Sequence, residues 1–297
     1  MSLPSVRSTG LVVTAAFLAF ASCSAVAQNS DYDWQKTYSV SDSPSLSIET
    51  GDSNLDIHPC GDCREIRIRV HSNRKLDEYL LEEHQDQGHV SFSLHERSHV
   101  GFSMHWHKVG DNTQVTVETP ASLTLDAKTA DGNLSVRGLT GALQMHAGDG
   151  AVTLEDLRGD LHLTSSDGNV NIHNATGTLE ARASDGRMKV DGQFSAVHLH
   201  TSDGSLELSL AAGSRLTAAS RIESSDGRVT VRVPQNLAAD LDVSTSDGRV
   251  DCALPLTMDN YNSGGGSSHH HLAGHLNGGG VPLSIHTSDG NVSIAAL

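Results

Sequence analysis

The sequence of 297 residues is poor in basic and in aromatic side chains. It holds 20 lysines and arginines against 36 aspartates and glutamates, and only 4% of its residues are Phe, Trp or Tyr. Binding to nucleic acid or to an anionic lipid surface requires clustered basic residues. The formal net charge of −16 therefore argues against both as partners.

Long hydrophobic runs are also missing. The apolar run Leu11–Ala21 is too short for a membrane helix, which needs roughly 20 apolar residues, and no other stretch qualifies. This run follows Arg7 and precedes the small residues Ala25-Val26-Ala27. That order is typical of a secretion signal over residues 1–27.

The signal sequence admits two cleavage sites. Cleavage after Ala27 is favoured, and it leaves a mature chain of charge −17 (−16 − 1, for the loss of Arg7). The alternative is a lipoprotein signal with Cys23 as the lipidated residue, but Phe20 stands where such signals prefer Leu. Both interpretations predict export, to the periplasm or to the cell surface.

Cysteine is scarce, and the sequence contains no G-x-S-x-G nucleophile motif. The pair Cys60 and Cys63 lacks both the second pair of a zinc knuckle and the βαβ context of a redox motif. In an exported protein we expect a local disulfide between them. Cys252 lies at an inward place of its predicted strand, where we expect a buried, inert thiol. No catalytic residue, cofactor or metal site is predicted.

What the sequence does contain is a repeated phrase, seen in full at residues 164–172 as TSSDGNVNI. Its Asp-Gly pair recurs at a spacing of 18 residues, and then with gaps of 23, 21 and 42. The aspartates are Asp131, Asp149, Asp167, Asp185, Asp203, Asp226, Asp247 and Asp289. Asp52 and Ser53 form an early copy with Ser in place of Gly. Repetition at a fixed period predicts a solenoid.

Apolar and polar residues alternate on both sides of each Asp-Gly pair, as in Leu161-His162-Leu163. This pattern is typical of half-buried strands. We therefore predict an all-β fold, a single-stranded β-solenoid of about nine short coils with Asp-Gly turns. Gly is expected to supply a positive φ, and Asp to bond its own backbone. A meander of β-hairpins is the local alternative.

Residues 28–43 are predicted to be a linker and residues 44–297 the solenoid domain. Residues 58–122 depart from the repeat and are interpreted as an elaborated cap. Within them we predict strands at 64–70, 90–94, 102–106 and 115–117, and a short helix at 74–84. Residues 259–280 are rich in Gly, Ser and His, which predicts a flexible excursion. Residues 281–294 form the last predicted coil.

Two groups of side chains offer possible metal ligands. The aspartate column resembles the calcium-holding turns of RTX-type β-rolls, but each turn here has one Asp beside Ser or Thr hydroxyls, so turn chemistry is favoured. The histidines include His95, His99, His105 and His107 in the cap and His269–His271 with His275 in the excursion. Imidazole binds zinc or nickel, but a Gly- and Ser-flanked run is floppy, so adventitious binding is expected. His162 and His198 share one outward place, which indicates a solvated face.

The repeated T-S-D-G-x-V-x-I phrase, the signal sequence and the ending LNGGGVPL at 276–283 resemble the bacterial putative-adhesin family of unknown function. Its members are related to the head domain of putative autotransporter adhesins and to toast-rack domains. The resemblance covers residues 40–297 and implies a β-solenoid. It transfers no activity and no catalytic residue.

These features predict an exported, non-catalytic β-solenoid that serves as a structural or adhesive binding surface in the cell envelope. The expected partner is an envelope protein or a polysaccharide. A carbohydrate-active enzyme on a β-helix and a metal-dependent binding module remain the alternatives.

Overall fold

The computed structural model describes residues 30–97, 112–258 and 270–297, and this part of the chain is built almost wholly from β-strands. The first eleven strands are β1 (Asp33–Ser39), β2 (Ser45–Thr50), β3 (Asn54–Pro59), β4 (Glu65–His71), β5 (Tyr79–Asp86), β6 (His89–Glu96), β7 (Gln114–Thr119), β8 (Thr124–Thr129), β9 (Leu134–Arg137), β10 (Thr140–Ala147) and β11 (Val152–Glu155). The others are β12 (Arg158–Ser165), β13 (Val170–Ala183), β14 (Arg187–Thr201), β15 (Ser205–Leu210), β16 (Ser220–Ser224), β17 (Val229–Val233), β18 (Ala239–Thr245), β19 (Val250–Cys252), β20 (His271–Leu276), β21 (Pro282–Thr287) and β22 (Val292–Ala296).

The strands form two stacks joined by bends at the Asp-Gly positions. The first stack holds strands that precede a bend, such as β10 and β12, and the second holds strands that follow one, such as β9 and β11. Neighbours within a stack run parallel, and Leu143 pairs with Leu161 at an offset of 18 residues. One strand of each stack, with its bend, is here called a layer. This is a β-solenoid-like architecture, and a hairpin meander, whose partners would run antiparallel, is wrong.

The core lies between the two stacks. Inward places are filled by aliphatic side chains, and residues such as Met145, Leu163 and Ala181 are at most 2% exposed. The polar residues between them, such as His162, point to solvent. The period-2 alternation predicted this pattern, because one layer cannot bury its apolar face alone and stacked layers share one core.

The order of the layers differs from the order of the chain. β2 lies between β6 and β8, and β3 lies between β7 and β9. At the other end β21 lies between β16 and β18, and β22 between β17 and β19. The first and last repeats of the chain are therefore paired on both sides, and other segments form the ends of the stack.

Antiparallel strands close the two ends. At one end β1 pairs with β4, β4 with β7, and β5 with β6. Tyr38 of β1 reaches Glu83 of β5 through a hydrogen bond of 2.9 Å. Burial tends to raise the pKa of Glu83, but hydrogen bonds from Lys36 and Tyr38 outweigh it and lower the pKa. These side-chain contacts link two strands that, among the described residues, each pair with one neighbouring strand.

The opposite end carries β20, which runs antiparallel to β18. His275 and Asp240 face one another across this pair at 2.6 Å. The hydrogen bond with His275, together with the one from the Gly280 backbone N–H, lowers the pKa of Asp240. The prediction of a flexible excursion over 259–280 is thus wrong at residues 271–276, while residues 259–269 lie outside the described part of the chain.

Two other sequence expectations are wrong. The predicted linker contains β1, and the predicted helix at 74–84 is a 3-10 turn over Leu76–Glu78 followed by β5. Leu76, Tyr79, Leu80 and Glu83 do recur at helical spacing. Pairing with β6 outweighs that local pattern, because it satisfies the backbone of β5 and lets Tyr79 donate or accept a hydrogen bond with Thr113 at 2.8 Å.

The glycines of the Asp-Gly bends serve close packing. Only Gly186 of the eight has a positive φ. The prediction that these glycines supply a positive φ is therefore wrong at the other seven. A Cβ added to Gly150 would lie 2.0 Å from the carbonyl oxygen of Gly132, and one on Gly168 would lie 1.9 Å from that of Gly150. Only a residue without a side chain lets neighbouring bends approach this closely.

Candidate binding face

The eight aspartates of the repeat lie exposed along one edge of the stack, where the two strands of each layer meet. Within the described residues, none of their side chains accepts a hydrogen bond, so the expectation that each Asp bonds its own backbone is wrong. Inward hydroxyls stabilise the bends instead. Ser224 accepts from the Gly227 N–H at 3.1 Å, and Thr245 from the Gly248 N–H at 3.0 Å.

The residue after Gly contributes a second set of bonds that sequence reasoning missed. The side-chain oxygen of Asn133 accepts from the Ala151 N–H at 2.9 Å, and that of Asn169 accepts from the Arg187 N–H at 3.0 Å. Each bond joins one layer to the next. The signal was the recurrence of Asn directly after Asp-Gly, as in the phrase DGN at 167–169.

We expect the aspartate edge to be structural and independent of calcium. Asp167→Asn should change the free energy of unfolding by less than about 0.5 kcal/mol, because the side chain is exposed and has no partner to lose. EDTA should leave the melting temperature unchanged. Salt should raise it modestly, since it screens carboxylates stacked at the strand spacing of about 4.8 Å. Saturable stabilisation by calcium that magnesium cannot reproduce would contradict this assignment.

The cysteines occupy separate places. Cys60 and Cys63 are joined by a disulfide in the turn after β3, with their Cα atoms 5.8 Å apart. Cys252 is a free thiol in β19 and is partly buried, less fully than its inward place suggests. Burial raises the pKa of this thiol, which lowers its reactivity at neutral pH.

Only part of the predicted histidine groups lies in the described residues, and the described members of one group are far from those of the other. His99, His105, His107 and His269 lie outside the described residues. His95 contacts Glu49, and His271 contacts Asp242 at the opposite end of the stack. In the described part of the chain, no three His, Cys, Asp or Glu side chains are placed to hold a metal ion.

Other histidines lie on the outer face of the first stack, in two straight rows that cross neighbouring strands. The first row runs through His162, Glu180, His198 and Arg221 of β12, β13, β14 and β16. The second row runs through Thr164, Arg182, His200 and Glu223 of the same strands. The solvated face predicted from His162 and His198 is thus part of a larger polar surface.

A shallow depression of about 490 Å³ lies in the middle of these rows. Its polar lining is Glu180, Arg182, His198, His200, Arg221 and Glu223, called the depression residues below. Within β13 the Arg182 guanidinium lies 2.7 Å from Glu180, and within β16 the Arg221 guanidinium lies 2.7 Å from Glu223. The formal charges of these pairs cancel, so the lining offers hydrogen-bond donors and acceptors without net charge.

A second polar cluster marks the corner where β13 passes from the second stack to the first. His173 and Asp191 share a hydrogen bond of 2.8 Å, and Asn174 takes a positive φ of 51° and bonds Asp156 and Asp191. The hydrogen bond with Asp191 and the charge of that carboxylate raise the pKa of His173. The cluster holds the β-bulge between β13 and β14 in place.

We expect Asp191→Asn to lower the pKa of His173, measured by NMR titration of its imidazole. The raised pKa means that the pair stabilises the fold fully below the ordinary His pKa, and that this contribution is lost as pH rises through the higher folded value. The stability difference between the variant and the wild type should therefore shrink as pH rises. Asp160→Asn, which leaves His173 untouched, is the control; an unchanged pKa in Asp191→Asn would contradict the assignment.

The fold and this surface define a β-solenoid-like protein with an open polar face. Residues 44–295 match the family model described as Toastrack DUF4097, so the chain belongs to this family. The match confirms the resemblance drawn from the repeated phrase. Among the described residues, no helix is long and apolar enough to cross a membrane. A search of curated proteins found no match.

Several solved structures align with most of the chain at low similarity. A putative adhesin from Parabacteroides merdae ATCC 43184 is 11% identical, with a TM-score of 0.46 over 89% of this chain and 96% of its own. A putative adhesin from Bacteroides fragilis NCTC 9343 is 10% identical, with a TM-score of 0.34 over 90% and 98%. A putative cell adhesion protein from Clostridium sporogenes ATCC 15579 is 9% identical, with a TM-score of 0.27 over 89% and 99%. Likenesses at this level carry no functional argument.

Proposed function

We propose that the chain is exported and acts as a non-catalytic binding surface, structural or adhesive, in the bacterial cell envelope. It is a β-solenoid of about nine short coils with Asp-Gly turns, and its partner is an envelope protein or a polysaccharide. The observation that carries the proposal is the pair of straight polar rows across β12, β13, β14 and β16. A rigid stack holds these side chains at regular spacing, which suits recognition of an extended partner.

Non-catalytic action agrees with the chemistry of the same face. The depression residues include two carboxylates, but each lies in an ion pair with an arginine on its own strand. The family match adds no catalytic motif.

Two measurements test the proposal. Expression of the full chain in a bacterium, followed by fractionation and intact mass analysis, should find an extracytoplasmic product that begins at Gln28. A lipidated product that begins at Cys23 would show that the protein is anchored to a membrane by a lipid. A chain retained in the cytoplasm would overturn export. Cross-linking to native envelope should then retain a specific envelope component; retention of none would overturn the binding role.

A further inference from the structure

We propose that the depression binds a neutral, unbranched polysaccharide through the hydroxyl groups of its sugar residues. This inference rests on the proposed function and names the ligand class of the same face. It starts from the arrangement of the depression residues on three adjacent strands. Glu180 and Arg182 lie on β13, and His198 and His200 lie on β14. On β16 the order of the charged pair is reversed, with Arg221 first and Glu223 two residues later.

The reversed order places a carboxylate acceptor and a guanidinium donor at opposite ends of each row within the depression, with an imidazole between them. Across the strands, a carboxylate, an imidazole and a guanidinium follow one another in the first row, and the reverse sequence stands in the second. A sugar hydroxyl donates one hydrogen bond and accepts others. A lattice in which charged donors and acceptors lie side by side therefore fits a polyhydroxyl surface, and hydrogen bonds to charged groups are the stronger kind.

Ion pairs hold this lattice in position. Glu180 contacts Arg182 at 2.7 Å and His162 at 3.4 Å. Glu223 contacts Arg221 at 2.7 Å and His200 at 3.9 Å. Both arginine side chains remain 64% exposed, so their other N–H groups face solvent. Side chains fixed in this way lose less conformational entropy when a ligand binds.

Charge selects a neutral ligand over an acidic one. The two arginines and two glutamates of the lining cancel, while the whole chain carries −16. The exposed aspartate edge begins three residues beyond the second row, at Asp185, Asp203 and Asp226. A polyanion would lie within or near the screening length of about 8 Å from these carboxylates and would be repelled.

The shape of the face favours a chain over a compact molecule. The first row continues past Arg221 through Ser284 to Asp242, and the second continues past Glu223 through His286 to Ser244. Strands are spaced at about 4.8 Å, which is similar to the length of one sugar residue along a polysaccharide. A linear glycan can therefore place successive residues over successive strands.

Isothermal titration calorimetry with the full mature chain tests the proposal. The probes are neutral oligosaccharides built from glucose, mannose or N-acetylglucosamine, with polygalacturonate and phosphatidylglycerol vesicles as acidic and membrane arms. At least one neutral probe should bind. Arg182→Ala and Arg221→Ala should each weaken that binding by about tenfold, because each removes charged hydrogen-bond donors.

Lys189→Ala and Arg232→Ala are the matched controls. Each removes one positive charge from the outer face of the second stack, and neither should change affinity by more than about twofold, since surface charges that distant are screened. Equal losses in both sets of variants would overturn the proposal, as would tighter binding of polygalacturonate or of vesicles than of every neutral probe. Failure of all neutral probes would also overturn it.

The same variants separate this inference from the proposed function. If the double variant Arg182→Ala/Arg221→Ala retains the envelope component as well as the wild type does, the binding role stands and the depression is not its site. If the wild type itself retains nothing from native envelope, the binding role is wrong, and the inference that rests on it is wrong as well. Circular dichroism melting of every variant checks that the fold is unchanged.

Discussion

Leu163→Asp is expected to abolish folding of the chain. Leu163 is 2% exposed in β12 and is paired in register with Met145 of β10 and Ala181 of β13. An aspartate there would place an unpaired charge between two layers of the core. The cost exceeds about 4 kcal/mol, a large share of the 5–15 kcal/mol that a typical domain has, because no partner can neutralise the carboxylate.

The neighbouring residue supplies the control. His162 is exposed on the outer face of the same strand, so His162→Asp should leave the melting temperature within a few degrees of the wild type. His162 does lie 3.4 Å from Glu180, so we expect a small loss of stability. Circular dichroism melting compares the two variants. Equal damage would show that the inward and outward assignments are wrong.

Gly150→Ala is expected to cause the second largest loss of stability. The new Cβ would lie 2.0 Å from the Gly132 carbonyl oxygen and 2.5 Å from its carbonyl carbon. Both atoms belong to backbone that is held in the stack, so the layers must separate locally and weaken their hydrogen bonds. We expect a cost of about 3 kcal/mol, the upper part of the range for overpacked cores.

Gly51→Ala is the matched control for this prediction. Its added Cβ would meet nothing closer than 3.9 Å, and its φ is not positive. This variant should melt at or slightly above the temperature of the wild type, because alanine restricts the unfolded chain. Chemical denaturation of both variants measures the difference. A Gly150→Ala protein as stable as Gly51→Ala would show that the bends are not closely packed.

The glycines also explain the exception in the repeat. Ser53 replaces Gly in the early copy. On the side away from the other Asp-Gly bends, the layer of Ser53 is followed by strands β6 and β7. A small cavity beside Ser53 is lined by Tyr79, Leu94 and Thr113. This space accommodates the side chain of Ser53. The other bends cannot accommodate a side chain there, because each has a bend stacked directly on it. The sequence showed the exception, and the structure gives its reason.

The all-β class and the inward residues could be predicted from the sequence. Alternation as in Leu161-His162-Leu163 depends on the two-residue period of a strand, which is a property of local geometry. The repeat of 18 residues likewise predicted parallel stacking, because like places must meet at a constant offset. The helix expected at 74–84 failed, since the edge pairing of β5 with β6 overrides local spacing.

The order of the layers and the composition of the depression were decided only by the tertiary structure. Any repeat can pair with any other, so the sequence does not say that β21 lies between β16 and β18, or β2 between β6 and β8. Arg221 lies beside His198 across a gap of 23 residues, not 18. Identical backbone pairing at every step makes the repeats locally equivalent, and only packing of the ends and of the irregular segments distinguishes one stacking order from another.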